Sequence, residues 1–216
     1  MASVRTVAAM VTAVVVVLAS GVSAEAGVPT DQLRGRIDRV LRVLEDPTLK
    51  QDGRATERRA AIRTIAQEIF DFRELSQRAL ARHWQARTPA ERDEFIQLFA
   101  DLLERSYIGK IETFSGGDRV QYSGESVEGD QATVRTRIVT KNGTEIPVDY
   151  RMHRVGDRWL VYDVAIESVS LVANYRAQFN KILQRGSFQQ LIAQLAAKKD
   201  EAHDGDGSQS KRASQK

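Results

Sequence analysis

The 216-residue chain carries 32 Lys and Arg against 29 Asp and Glu, a formal net charge of +3, and no cysteine. The missing cysteines remove disulfides, thiol nucleophiles and thiolate metal sites together, so core burial alone must hold the fold. Acidic residues nearly match the basic ones and are interspersed with them, which together with the export signal described next argues against a nucleic-acid partner.

Residues 1–26 have one Arg, an apolar run from Val7 to Leu18, and small residues ending in Val22-Ser23-Ala24 or Ala24-Glu25-Ala26. This is the three-part pattern of a cleavable secretory signal, with an apolar stretch short for a membrane span. Without a cysteine to acylate, a lipoprotein is excluded. The expected organisation is a signal peptide over 1–26, one domain over 27–197, and a disordered polar tail over 198–216, where no apolar periodicity survives.

In the domain, Thr30-Asp31 reads as an N-cap pair before Leu33, Ile37, Val40, Leu41 and Leu44, until Pro47 stops the helix. A second helix buries Ile62, Ile65, Ile69 and Phe70. Ser76 reads as the cap of a short third helix that brings Leu80 and Trp84 to one side. Thr88-Pro89-Ala90-Glu91 is a capping box with proline at the first helical position, and opens a helix with Phe95, Leu98, Phe99, Leu102 and Leu103 on one face. Ser115-Gly116-Gly117 should end it. Arginines recur at 34, 36, 39 and 42 and again at 54, 58, 59 and 63. They read as solvated helix faces, with an anionic membrane or an acidic docking surface as the alternative.

The apolar period then falls to two. Residues 119–128, 131–140, 144–155 and 158–168 read as four strands joined at Gly129-Asp130, Asn142-Gly143 and Gly156-Asp157. Such short loops force antiparallel neighbours. In the third strand Ile146, Val148, Tyr150 and Met152 point one way and Glu145, Pro147, Asp149, Arg151 and His153 the other. In the fourth, Leu160, Tyr162, Val164 and Ile166 read as one face and Trp159, Val161, Asp163 and Ala165 as the other. Helical period returns from Val169, with Leu171, Val172, Tyr175 and Phe179. Gly186-Ser187 interrupts it before a last helix carrying Phe188, Leu191, Ile192 and Leu195. The fold class is α+β, helices wrapped around a four-stranded antiparallel sheet.

No catalytic set emerges. His83 and His153 have no serine tied to them, no Gly-x-Ser-x-Gly elbow exists, and Gly116-Gly117 lacks the Lys-Ser/Thr of a phosphate loop. Clustered metal ligands are missing too. Asp149 and Asp163, on neighbouring strands, read as solvated or paired with Arg135, Arg137 or Arg151 rather than as an acid–base pair. What stands out is large apolar surface: either an ordinary close-packed core or a cavity that an apolar ligand completes. Periodicity leaves both open.

Two blocks carry a resemblance. One is Ile69-Phe70-Asp71-Phe72-Arg73-Glu74-Leu75 with Arg78-Ala79-Leu80, Trp84 and Thr88-Pro89-Ala90-Glu91-Arg92. The other is Trp159-Leu160-Val161-Tyr162-Asp163-Val164 followed by Glu167 to Leu171, Asn174-Tyr175-Arg176 and Phe179. Both resemble the MlaC family, also called toluene-tolerance or Mla-pathway phospholipid-binding proteins. Ser168 stands where family members often have Gly, and Leu75 where they often have Met.

The resemblance implies a periplasmic carrier, not an enzyme, with no cofactor and no metal. It would shuttle phospholipid or a related membrane lipid between an outer-membrane lipoprotein complex and an inner-membrane ABC transporter complex. One sub-branch is associated with hopanoid-type lipids. A carrier needs an apolar cavity between helices and sheet. Its expected lining from the helices is Trp84, Phe99, Leu103, Tyr107, Tyr175 and Phe179, and from the sheet Ile146, Val148, Tyr150, Met152, Tyr162 and Val164. The competing readings are an enzyme acting on a small apolar substrate in a cone-shaped pocket, which needs a buried acid or histidine at the cavity floor, and a ligand-free adaptor with a packed interior.

Overall fold

A computed structural model of the chain describes residues 27–114 and 117–197. The expected signal segment, the polar tail and Ser115-Gly116 lie outside the described residues. Helix α1 (Val28–Glu45) starts earlier than the Thr30-Asp31 pair suggests: Gly27 precedes it and Pro29 lies in its first turn, where a fixed φ and a missing N–H cost nothing. Thr30 is thereby freed for a tertiary role, its amide and hydroxyl donating to Glu125 Oε2 at 2.8 and 2.6 Å. Helix α2 spans Ala55–Ile69. Helix α3 (Phe72–Leu80) is capped by Asp71, whose carboxylate accepts the Glu74 amide at 2.9 Å. Ser76 is not the cap but a buried residue inside this helix. A 3-10 turn at Ala81–His83 leads to helix α4 (Pro89–Glu112), where Thr88 and Glu91 form the expected capping box.

Strands β1 (Arg119–Glu128), β2 (Gln131–Val139), β3 (Glu145–Val155) and β4 (Arg158–Ile166) form an antiparallel meander in chain order. The Asn142-Gly143 and Gly156-Asp157 turns work because Gly143 and Gly156 sit at φ 81° and 60°, where a Cβ is penalised. A fifth, two-residue strand, β5 (Val169–Ser170), pairs with the end of β4. The chain reverses between them through Glu167 and Ser168, both left-handed at φ 49° and 69°. Ser170 then caps helix α5 (Leu171–Arg185), and a helix α6 follows over 188–197.

The apolar interior divides in two. Helices α1 and α2 cover one face of the sheet, burying Leu33, Ile65, Ile69, Val134, Met152 and Val161. Helices α3 to α6 form a second core around Phe95, Phe99, Tyr175, Phe179 and Phe188. Its rings meet edge to face, with Phe99 at 5.0 Å from Tyr175 and 5.1 Å from Phe179, the arrangement favoured by aromatic quadrupoles. Phe70, between α2 and α3, packs against both cores, and its neighbour Asp71 donates its amide to the Val161 carbonyl on β4 at 2.9 Å.

Candidate functional site

Side chains directly opposite on paired strands share a face, so the register sorts the covered side of the sheet into four rows. Nearest the β3–β4 turn lie Val127, Ala132, Met152 and Val161. The next row holds Glu125, Val134, Tyr150 and Val164, the third Tyr122, Thr136, Val148 and Ile166, and the last Val120, Ile138 and Ile146. Helix α1 fixes which end is closed. Gln32 donates to the Asp157 carbonyl at 2.8 Å and accepts the Trp159 amide at 2.9 Å, so the helix begins over the first row and runs toward the last.

Burial is uneven along it. Met152, Val161, Val134, Thr136 and Val148 are buried, Val127 at the β1 edge of the first row is exposed, and Ile138, Ile146, Ile166 and Tyr150 are half-buried, as are Ile37, Val40 and Val43 on α1. One continuous apolar face is therefore buried along its middle strands and incompletely covered in the row of Ile138 and Ile146. The one carboxylate in these rows, Glu125 at the β1 edge, is engaged by Thr30. Burial pushes the Tyr150 phenol up to about 12, with the Thr136 hydroxyl acting weakly the other way, and burial likewise raises Tyr122. Both phenols remain neutral at any physiological pH. The Arg34 guanidinium lies 4.5 Å above the Tyr122 ring at the β1 edge, a cation–π contact that needs no deprotonation.

Ion pairs between helices hold the cover over this face in place. Arg39 on α1 pairs with Glu68 on α2, and Arg63 on α2 pairs with Glu104 on α4 at 2.6 Å. Arg58 and Arg59 close on the mostly buried Glu112 at the end of α4 at 2.9 and 3.2 Å.

The twelve residues singled out in the sequence fall into three places. Ile146, Val148, Tyr150, Met152 and Val164 share the covered sheet face. Trp84, Phe99, Tyr175 and Phe179 lie inside the helical core, with Leu103 and Tyr107 half-buried at its margin. Tyr162 is on the opposite side of the sheet, beneath the Arg78 guanidinium at 3.9 Å and edge-on to His153. The cause is a β-bulge: Arg151 pairs with Asp163 but Met152 with Val161, so Tyr162 is the extra residue. Trp159 and Val161 thereby join Val164 and Ile166, contrary to strict alternation. Ile37, Val40, Ile138 and Ile166 belong with the half-open face, and their periodic spacing in the sequence was the available signal.

Other polar groups are engaged structurally. Asp163, deeply buried, accepts from Arg151 at 2.9 Å, from the Ser170 hydroxyl at 2.6 Å and from the Val172 amide at 3.0 Å. His153 lies 3.1 Å from Asp71, and His83 lies 3.1 Å from Asn180. Among the described residues no three His, Asp or Glu side chains cluster as metal ligands, and no helix is long and apolar enough to cross a membrane.

A family model described as MlaC protein matches residues 34–197. The toluene tolerance protein of Pseudomonas putida is 25% identical over 100 residues, 43% of this chain and 45% of that relative, so the match spans less than half the relative's length. Among solved structures, a phospholipid-binding protein from Ralstonia solanacearum in complex with a phospholipid superposes with a TM-score of 0.71 at 25% identity. That match covers 79% of this chain and 96% of the other.

Proposed function

Since this chain belongs to the MlaC family, we propose that it is a lipid carrier that holds phospholipid acyl chains against the half-open end of its sheet. The observation that carries this reading is one continuous apolar face that is fully buried at Met152 and Val161 and only half-buried at Ile138 and Ile146. The Ralstonia relative, similar over most of its length, was solved with a phospholipid bound, which supports the same ligand class here.

Physical chemistry explains why such a site needs no catalytic group. Each methylene transferred from water to an apolar surface is worth about 0.8 kcal/mol, so a long acyl chain left in water costs on the order of 10 kcal/mol. Holding it requires only dry apolar wall, to which the neutral phenols of Tyr122 and Tyr150 add no charge. The headgroup, being polar, stays at the open end.

In this reading residues 1–26 direct export and are removed, residues 27–197 form the carrier domain, and 198–216 are a polar tail. The carrier works in the periplasm, accepting and delivering lipid at an outer-membrane lipoprotein complex and an inner-membrane ABC transporter complex. Protein purified from bacteria should then contain co-purified phospholipid, detected by organic extraction and mass spectrometry. A preparation that is lipid-free and also takes none from phospholipid vesicles would contradict the proposal.

A further inference from the structure

Three arginines from three separate elements converge on the side of the sheet away from the half-open face. Arg78 on α3, Arg151 on β3 and Arg176 on α5 line a groove of about 490 Å³, with the first turn of α5 at Val172 and Ala173 forming one wall. Part of their charge is already used. Arg78 donates to Glu74 at 2.8 Å while stacked on Tyr162, and Arg151 donates one nitrogen to Asp163 at 2.9 Å. Among the described residues Arg176 has no hydrogen-bond or ion-pair partner, and it is exposed. Three cations against two carboxylates leave the groove positive, while the first-turn amides of α5 at Val172 and Ala173 are already bonded to Asp163 and Ser170.

The backbone around the groove is strained as well. Ala81, Glu167 and Ser168 are the three non-glycine residues with positive φ among those described. Ala81 lines the groove directly, and Ser168 is two residues before Ser170, another of its lining residues. At φ 47° and ψ −120° Ala81 lies outside the left-handed helical well, a conformation that costs on the order of 1–3 kcal/mol and persists where surrounding structure enforces it, often at binding surfaces.

We infer that this groove is a docking site for an acidic segment of a partner protein, which places two or more carboxylates among the Arg78, Arg151 and Arg176 guanidiniums. Shape decides between the anionic surfaces available. A bilayer presents its charges on a plane and cannot fill a concavity, whereas a projecting acidic segment enters it. The volume lies within the range of ordinary ligand pockets, more than one small oxyanion requires. Guanidinium forks suit carboxylates by geometry, and the docking should be fast and salt-sensitive. Because the groove and the half-open apolar face lie on opposite sides of the sheet, a docked partner leaves bound lipid undisturbed.

The test uses fluorescein-labelled hexaglutamate as the probe and fluorescence anisotropy with the full chain at low salt. Binding is expected, with affinity reduced roughly tenfold or more by Arg176→Glu and less by Arg176→Gln, while Lys181→Glu, further along the same helix, has little effect. Circular dichroism should show all three variants folded, since both positions are exposed. Absence of hexaglutamate binding overturns the inference. So does an equal loss in Lys181→Glu, which would reduce the effect to net charge. Loss of binding to phosphatidylglycerol vesicles in Arg176→Glu, with hexaglutamate unbound by the native chain, would assign the patch to a membrane surface instead.

Discussion

Tyr150 concentrates the physics of the half-open face in one side chain, a half-buried phenol set opposite the buried Val134 and Val164. Its phenol is pushed up to about 12 by burial, against roughly 10 in an unfolded chain. A raised folded-state pKa means that this stabilisation is complete below pH 10 and is lost as pH rises from there toward 12. Native protein should therefore lose on the order of 2 kcal/mol across that interval from this group, and Tyr150→Phe should flatten the alkaline limb of a urea-denaturation series by about that amount. Further out, Ile146→Trp should fill part of the uncovered end, leaving the thermal midpoint within a few degrees while lowering the phospholipid-to-protein ratio on extraction. An unchanged ratio would make the last row mere surface. At this scale the sequence was informative but incomplete. Alternation in β3 placed Ile146, Val148, Tyr150 and Met152 together correctly, yet alternation in β4 put Tyr162 on one face with Val164 and Ile166, because a one-residue bulge leaves no trace in hydrophobic periodicity.

Among the elements, α4 has the strongest local code and the most revealing end. Its capping box was legible because the reciprocal Thr88 and Glu91 bonds are made within four residues. Its far end is fixed by long-range pairing, Glu112 with Arg58 and Arg59 and Glu104 with Arg63, which residue spacing cannot reveal. The arginines at 58, 59 and 63 read in the sequence as a solvated face and turn out to clasp a neighbouring helix. Removing the carboxylate takes from Arg58 and Arg59 the anion they share at the end of α4. Glu112→Gln should therefore speed amide hydrogen exchange from Leu103 to Glu112 several-fold while leaving Pro89 to Phe99 unchanged, and uniform exchange along the helix would show that these pairs hold nothing. The start of α1 illustrates the opposite error. Thr30 is a good capping residue by type, but Glu125 on β1 competes for its hydroxyl at 2.6 Å, and tertiary contact overrode local preference. The turn at Glu167 and Ser168 was also hidden, since neither residue favours the left-handed conformation both adopt.

Across the whole molecule, chain order gave the architecture: helices, an antiparallel meander with short turns, then helices again, as observed. What it could not give was the partition of apolar residues into two cores joined at Phe70. Periodicity shows that a face is buried without showing against what, so Trp84, Phe99, Tyr175 and Phe179 looked equivalent to the sheet residues although they pack on one another. The separation matters for function. A helical core with Phe95, Phe99 and Leu191 fully buried can hold the fold while the row of Ile138 and Ile146 stays half-buried, and a half-covered apolar face is what hydrocarbon can complete. The decisive measurement is an NMR experiment on the chain loaded with phospholipid, recording nuclear Overhauser effects between acyl methylenes and protein methyl groups. Contacts to Ile138, Ile146 and Ile166, with none to Met152 or to Leu191 of the helical core, are the predicted result. Acyl contacts confined to the outer surface, or failure of the folded chain to load any phospholipid, would contradict it.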